Sequence, residues 1–138
     1  MNRDNFVTLL LRSPLHIFMG DTMLITVTGR KTGKKYTTPV GYFRENGDLW
    51  IMTSRDRTWW RNVRGGAQVS MRMHGRDSRG YGETILAATA VAEQVCKYIH
   101  HIPLAAKSLG VRLQKGIPNA EDAARIAEQR LFVRIHID

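Results

Sequence analysis

MLITVTGRKTGKKYTTPVGYFRENGDLWIM, residues 23–52, sets two turns between runs of alternating apolar and polar residues. Met23, Ile25 and Val27 fall on one side of an extended chain and Leu24, Thr26 and Thr28 on the other, the period of two expected of a half-buried strand. Residues 29–35, GRKTGKK, make the first turn. Residues 36–44 read as a second strand from their Thr, Val and aromatic content. Within it Pro39 cannot donate to a ladder, so it marks an edge or a bulge and leaves neighbouring backbone groups free to meet something other than a strand. Asn46 and Gly47 then tolerate the two positive φ angles of a type I′ hairpin turn. A third strand covers residues 49–53.

Working outward from this stretch, residues 55–64 break the alternation. Trp59, Asn62 and Val63 have helical spacing, and Gly65-Gly66 ends the short helix they predict. Val69, Met71 and Met73 alternate with Gln68, Ser70, Arg72 and His74 as a fourth strand, after which residues 75–80, GRDSRG, are expected to turn the chain into a strand over 81–87. Val91, Val95 and Ile99 repeat every four residues on a helix that Pro103 should end. Asn119, with Asp122 three residues on, resembles a capping arrangement for a helix over 120–129. Leu131, Val133, Ile135 and Ile137 share a face of a last strand. Upstream, Phe6, Leu9, Leu10, Ile17 and Phe18 have roughly helical spacing, broken at Ser13-Pro14. They predict a helix closing one end of the core, with a membrane-surface helix as the alternative. Six strands at hairpin spacing with helices inserted predict a mainly β fold of the α+β class, a six-stranded antiparallel barrel forming one domain over residues 1–138.

With 138 residues the chain is long enough to bury one real core. Its 21 Lys and Arg against 12 Asp and Glu give +9, a balance that attracts polyanions: nucleic acid, anionic lipid, or a phosphorylated or polycarboxylate small molecule. One cysteine, Cys96, excludes an intramolecular disulfide and fits a reducing interior. The start of the sequence shows no export pattern, and no apolar run reaches the roughly 18 residues of a membrane span, so a cytoplasmic location is expected.

Two segments carry candidate chemistry. In the first turn four cations, Arg30, Lys31, Lys34 and Lys35, are packed with two glycines; glycine lets backbone N–H groups approach a ligand while the cations neutralise phosphate or carboxylate. It is not a P-loop, because only three residues separate the glycines and a strand follows. A solvated hairpin tip is the plain reading of such a turn taken alone. Residues 55–62, RDRTWWRN, join cations to adjacent tryptophans, a combination suited to a flat ring with an anionic tail, or equally to one packed and one exposed tryptophan. Cys96, His100 and His101 lack the further ligands a metal would need. His74 and His136 fall on solvent faces.

The order Thr28-Gly-Arg-Lys-Thr-Gly33, Thr37-Thr38-Pro39-Val40, Asn46-Gly47, Thr53-Ser54 and Trp59-Trp60-Arg61-Asn62 resembles the deazaflavin-dependent nitroreductase family. Those proteins have a split β-barrel, bind coenzyme F420, and reduce quinones, nitro compounds and related acceptors. The resemblance implies that Arg30, Lys31 and Thr32 contact the phosphate and oligoglutamate side of the cofactor. Tyr36, Thr37, Thr38, Pro39, Val40 and Gly41 would line the ring and ribityl chain. Met52, Thr53, Ser54 and Arg55 would lie along the deazaflavin, with Ser54 able to hydrogen-bond near the reactive ring. Thr58, Trp59, Trp60, Arg61 and Asn62 would close the other side, and Tyr98 would face the substrate. The chain departs from the family in a link of only four residues between Ser54 and Trp59, and in Val63 where Leu is usual. The implied reaction is hydride transfer from reduced deazaflavin to a small-molecule acceptor. FMN stays open beside F420, since cationic turns and aromatic walls do not separate phosphorylated flavins. A basic nucleic-acid-binding barrel is the reading from a different class. Split barrels of this kind often form homodimers, for which Met73, Tyr81 and Phe132 are interface or core candidates.

Overall fold

Strand β1, Asp21–Thr28, opens the described part of the chain; the computed structural model describes residues 21–138, and the expected N-terminal helix lies outside them. As the alternation predicts, β1 buries Met23, Ile25 and Val27. Strand β2, Lys35–Glu45, pairs with it one residue for one residue from Thr28↔Lys35 to Asp21↔Tyr42, straight through Leu24↔Pro39. Pro39 therefore makes no bulge. It sits on an open edge instead, because β2 meets strand β3, Asp48–Ser54, only through Phe43↔Trp50, Arg44↔Leu49 and Glu45↔Asp48. The β2–β3 turn is Asn46 and Gly47 with φ of 54° and 83°.

One 3₁₀ turn, Trp59–Asn62, follows β3, and Gly65 and Gly66 end it with φ of 81° and 100°. Strand β4, Ala67–Met73, then runs into β5, Arg76–Ile85. Here the expectation is corrected: the turn is His74-Gly75, at φ 49° and 76°, and most of GRDSRG is strand. The misreading came from composition. Arg76, Asp77 and Arg79 are exposed on a strand rather than in a loop, and Arg72 bonds Asp77 across the ladder at 2.9 Å. Gly80 belongs to the same strand, opposite Val69 and Ile137, and a Cβ there would sit 2.7 Å from the His136 carbonyl oxygen.

Helix α1, Ala88–His101, ends just before Pro103, and α2, Leu104–Leu109, follows it. A two-rung hairpin of β6, Leu113–Gln114, and β7, Ile117–Pro118, was not foreseen; Lys115 and Gly116 turn it at φ 52° and 79°. Asn119 caps α3, Ala120–Gln129, by accepting from the Asp122 amide at 3.0 Å. Strand β8, Arg130–Ile137, then runs between β3 and β5. The six long strands close a barrel in the order β1-β2-β3-β8-β5-β4.

Two cores result from the alternation. Ile25, Val40, Leu49, Ile51, Met71, Leu131, Val133 and Ile135 fill the barrel. On its outside Phe43, Trp50, Met52 and Phe132 pack under Val91, Val95, Tyr98 and Ile99 of α1 and Ile126 of α3. Met73 and Phe132 are core residues, while Tyr81 is exposed. Among the described residues no helix is long and apolar enough to cross a membrane.

Candidate functional site

The cationic turn is a built structure. Gly29 donates its amide to the Lys34 carbonyl at 2.7 Å, Gly33 returns a bond to the Gly29 carbonyl at 2.8 Å, and the Lys34 amide bonds the Thr32 hydroxyl at 3.2 Å. Gly29 leaves room for its neighbour, since a Cβ there would lie 2.7 Å from the exposed Tyr36 ring and make it shift. The turn is also docked. The Arg30 amide donates to Asn62 Oδ1 at 3.3 Å, its guanidinium donates to the Arg64 carbonyl, and Asn62 Nδ2 donates to the Trp59 carbonyl at 3.3 Å. Arg30 thus ties residues 29–35 to the tryptophan turn. Lys31, Lys34 and Lys35 remain exposed, and among the described residues none of them has a carboxylate partner.

Beside them lies the open edge of β2. Tyr36 is 46% exposed, with its hydroxyl 3.4 Å from that of Thr32, and Thr37 shares a 2.8 Å hydroxyl contact with Thr26. Thr38, Pro39 and Gly41 are half-buried along the same edge. Trp59 is half-buried too, while Thr58 and Arg61 are exposed, with the Arg61 guanidinium 5.7 Å from the centre of the Trp60 ring.

At the end of β3 the chain turns sharply, the Arg57 amide donating to the Ser54 carbonyl at 3.1 Å. The Ser54 hydroxyl is the main influence on the Asp56 carboxylate, holding it below the ordinary carboxylate range. Arg55 is held within the protein. Its guanidinium donates to the carbonyls of Leu86 at 2.8 Å and Ala127 at 3.0 Å, clamping the end of β3 to the chain after β5 and to α3.

Several of the expected residues are placed inside the protein. Val40 and Trp60 belong to the barrel interior, Met52 to the layer under the helices, and Thr53 is buried. Tyr98 is 6% exposed and packs edge-on against Phe43, ring centres 4.9 Å apart; burial pushes its phenol up, with Arg130 opposing. The surface that gathers is Arg30, Lys31, Thr32, Tyr36, Thr37, Trp59 and Asn62. The Arg64 carbonyl was missed by the sequence reading, because its place depends on a contact between segments far apart in the chain. Among the described residues no three His, Cys, Asp or Glu side chains are grouped to hold a metal ion.

A family model described as F420H(2)-dependent quinone reductase matches residues 13–116. No curated protein matches the chain. Among solved structures the chain is similar to the protein Atu2129, of unknown function, from Agrobacterium tumefaciens, at 16% identity and a TM-score of 0.59, covering 95% of this chain and 53% of that one. It is similar to the general stress FMN/FAD binding protein from Xanthomonas citri at 14% identity and a TM-score of 0.53, over 91% and 80% of the two chains. A further structure, described as a domain-swapped dimer, is 21% identical at a TM-score of 0.51, over 83% and 79%. At these identities the likeness speaks for the fold.

Proposed function

We infer from its membership that this chain, which belongs to the F420H(2)-dependent quinone reductase family, is an F420-dependent oxidoreductase whose acceptor is a quinone or similar small organic molecule. The observation that carries the site is the docking of the cationic turn on the tryptophan turn through Arg30 and Asn62. It brings three exposed lysines together with an open strand edge and the exposed Tyr36 ring.

These residues fit the cofactor. Lys31, Lys34 and Lys35 face water without carboxylate partners among the described residues, as a turn that receives phosphate and glutamate carboxylates requires. The β2 edge offers backbone groups to a planar ring, and Tyr36 and Trp59 offer aromatic surface. Bound there, reduced F420 supplies a hydride. The protein's part is to orient and shield: Arg30 fixes the turn, Arg55 fixes the end of β3, and Ser54 would offer its hydroxyl to the bound ring. The final proton comes from solvent.

FMN is the second reading, favoured by the likeness to the FMN/FAD binding protein. A homodimer, a cytoplasmic location and one binding unit over residues 1–138 complete the proposal. Titrating the purified protein with F420, FMN and a single-stranded oligonucleotide tests it. Saturable F420 binding tighter than FMN is expected; binding of the oligonucleotide alone, with steep salt dependence, would replace the redox reading by a nucleic-acid one.

A further inference from the structure

Arg130 begins β8 directly opposite Ser54, the last residue of β3. One step inward on the same side of the sheet, Met52 and Phe132 form a register pair packed under the helices. Ser54 and Arg130 therefore lie on the helix-facing side of the barrel, at the end where β3 stops, and Tyr98 of α1 is near enough to feel the Arg130 charge. The Arg130 side chain is half-buried, and among the described residues its guanidinium has neither hydrogen bond nor ion pair. Burial lowers its pKa from the ordinary value, Asp56 raises it, and Arg57 lowers it further. A guanidinium stays charged in such a place. Its neighbour Arg55 shows the contrast, with donors taken up by the Leu86 and Ala127 carbonyls. Asp56 forms no salt bridge with Arg130, although the two charges feel one another. A charge partly withdrawn from water and held by no hydrogen bond is costly, and a ligand that brings a counter-charge into contact lowers that cost.

We propose that Arg130 binds the oxyanion that forms on the acceptor during its reduction, with the Ser54 hydroxyl as neighbour. This rests on the quinone-reductase reading above. The position favours the acceptor over the cofactor's tail. The tail's cations are on the β1–β2 turn, whereas Arg130 lies across β3 from the open β2 edge, on the side where α1 packs. The chemistry supplies the anion. Hydride from the reduced deazaflavin brings two electrons and one hydrogen to the quinone; the cofactor leaves oxidised after releasing its remaining proton to solvent, and the electron pair displaced from a carbonyl remains on oxygen as an aryloxide. A proton from solvent then completes the hydroquinone. A fixed guanidinium beside the forming aryloxide is stronger than water because it need not reorient.

The test uses stable stand-ins for the two charge states: 4-nitrophenolate, at a pH where it is ionised, and its neutral methyl ether. Binding is measured on the protein alone and again with F420 present. Wild type should prefer the phenolate by about 10-fold or more, as a charge-assisted hydrogen bond requires. Arg130→Met should bring the two ligands within about twofold, Arg130→Lys should keep an intermediate preference, and F420 affinity should be the same in all three. An undiminished phenolate preference in Arg130→Met overturns the proposal. Should that variant fail to fold by circular dichroism, Arg130→Lys decides: a reduced preference supports the role and an unchanged one removes it. If F420 does not bind wild type at all, the cofactor reading fails, while the phenolate comparison on the protein alone still judges Arg130.

Discussion

Replacing Lys31 and Lys34 with alanine separates the cofactor's tail from its ring. Both side chains are exposed and neither has a carboxylate partner among the described residues, so their removal should cost the fold little. Lys34 enters the turn through its backbone, accepting from Gly29 and donating to Thr32, and alanine keeps both bonds. Each lysine acts on the cofactor's phosphate or carboxylates through water, so a single substitution should weaken F420 about threefold to fivefold and the pair roughly 10-fold or more. At high salt the difference between wild type and variant should shrink, since the screening length falls to about 3 Å at 1 M. The assay is quenching of F420 fluorescence, run beside a tail-less deazaflavin whose affinity should not change. Arg30→Ala is the contrasting variant. Its guanidinium holds the Arg64 carbonyl, so its loss should loosen the turn against Asn62 and weaken both ligands. Equal losses for both ligands in the Lys31 and Lys34 variants would refute the tail-binding role of the turn.

Arg55→Met should leave the Leu86 and Ala127 carbonyls without their donor and destabilise the protein by about 1–3 kcal/mol, read as a lowered thermal midpoint with F420 absent. Asp122 predicts an acid limb. Its carboxylate is 4% exposed, yet what encloses it is largely polar: the Arg112 amide and side chain at 2.8–3.2 Å and Arg125 at 3.2 Å, which together hold its pKa well below the ordinary range. Its contribution to stability is therefore complete above the unfolded value of about 3.9 and is lost as pH falls toward the folded one. Asp122→Asn should lower the thermal midpoint near neutrality and flatten its decline below about pH 4; an acid limb as steep as in wild type would contradict the assignment.

Strand pattern was legible wherever one face is buried. Met23, Ile25 and Val27, or Leu131, Val133 and Ile135, alternate because the barrel interior accepts only every second residue. Asn46-Gly47 and Asn119 were legible because their chemistry is local. Arg76–Gly80 was misread since its polar residues face water on a strand, which composition does not separate from a loop. Of the site, the cationic turn and the tryptophan turn could be read, each from a short motif. Their contact could not, because the Arg30 to Asn62 and Arg64 bonds depend on how the barrel closes. The burial of Trp60, the clamp made by Arg55 and the pairing of Ser54 with Arg130 are likewise tertiary facts, set by residues distant in sequence.

The most direct measurement is anaerobic mixing of the protein with reduced F420 and a soluble quinone, followed at the absorbance of the oxidised cofactor. One oxidised F420 formed per quinone reduced, at a rate that saturates with quinone and exceeds the rate without protein, is the predicted result. A rate equal to the protein-free control, in a preparation that binds F420 saturably, would contradict the assignment of this surface to hydride transfer.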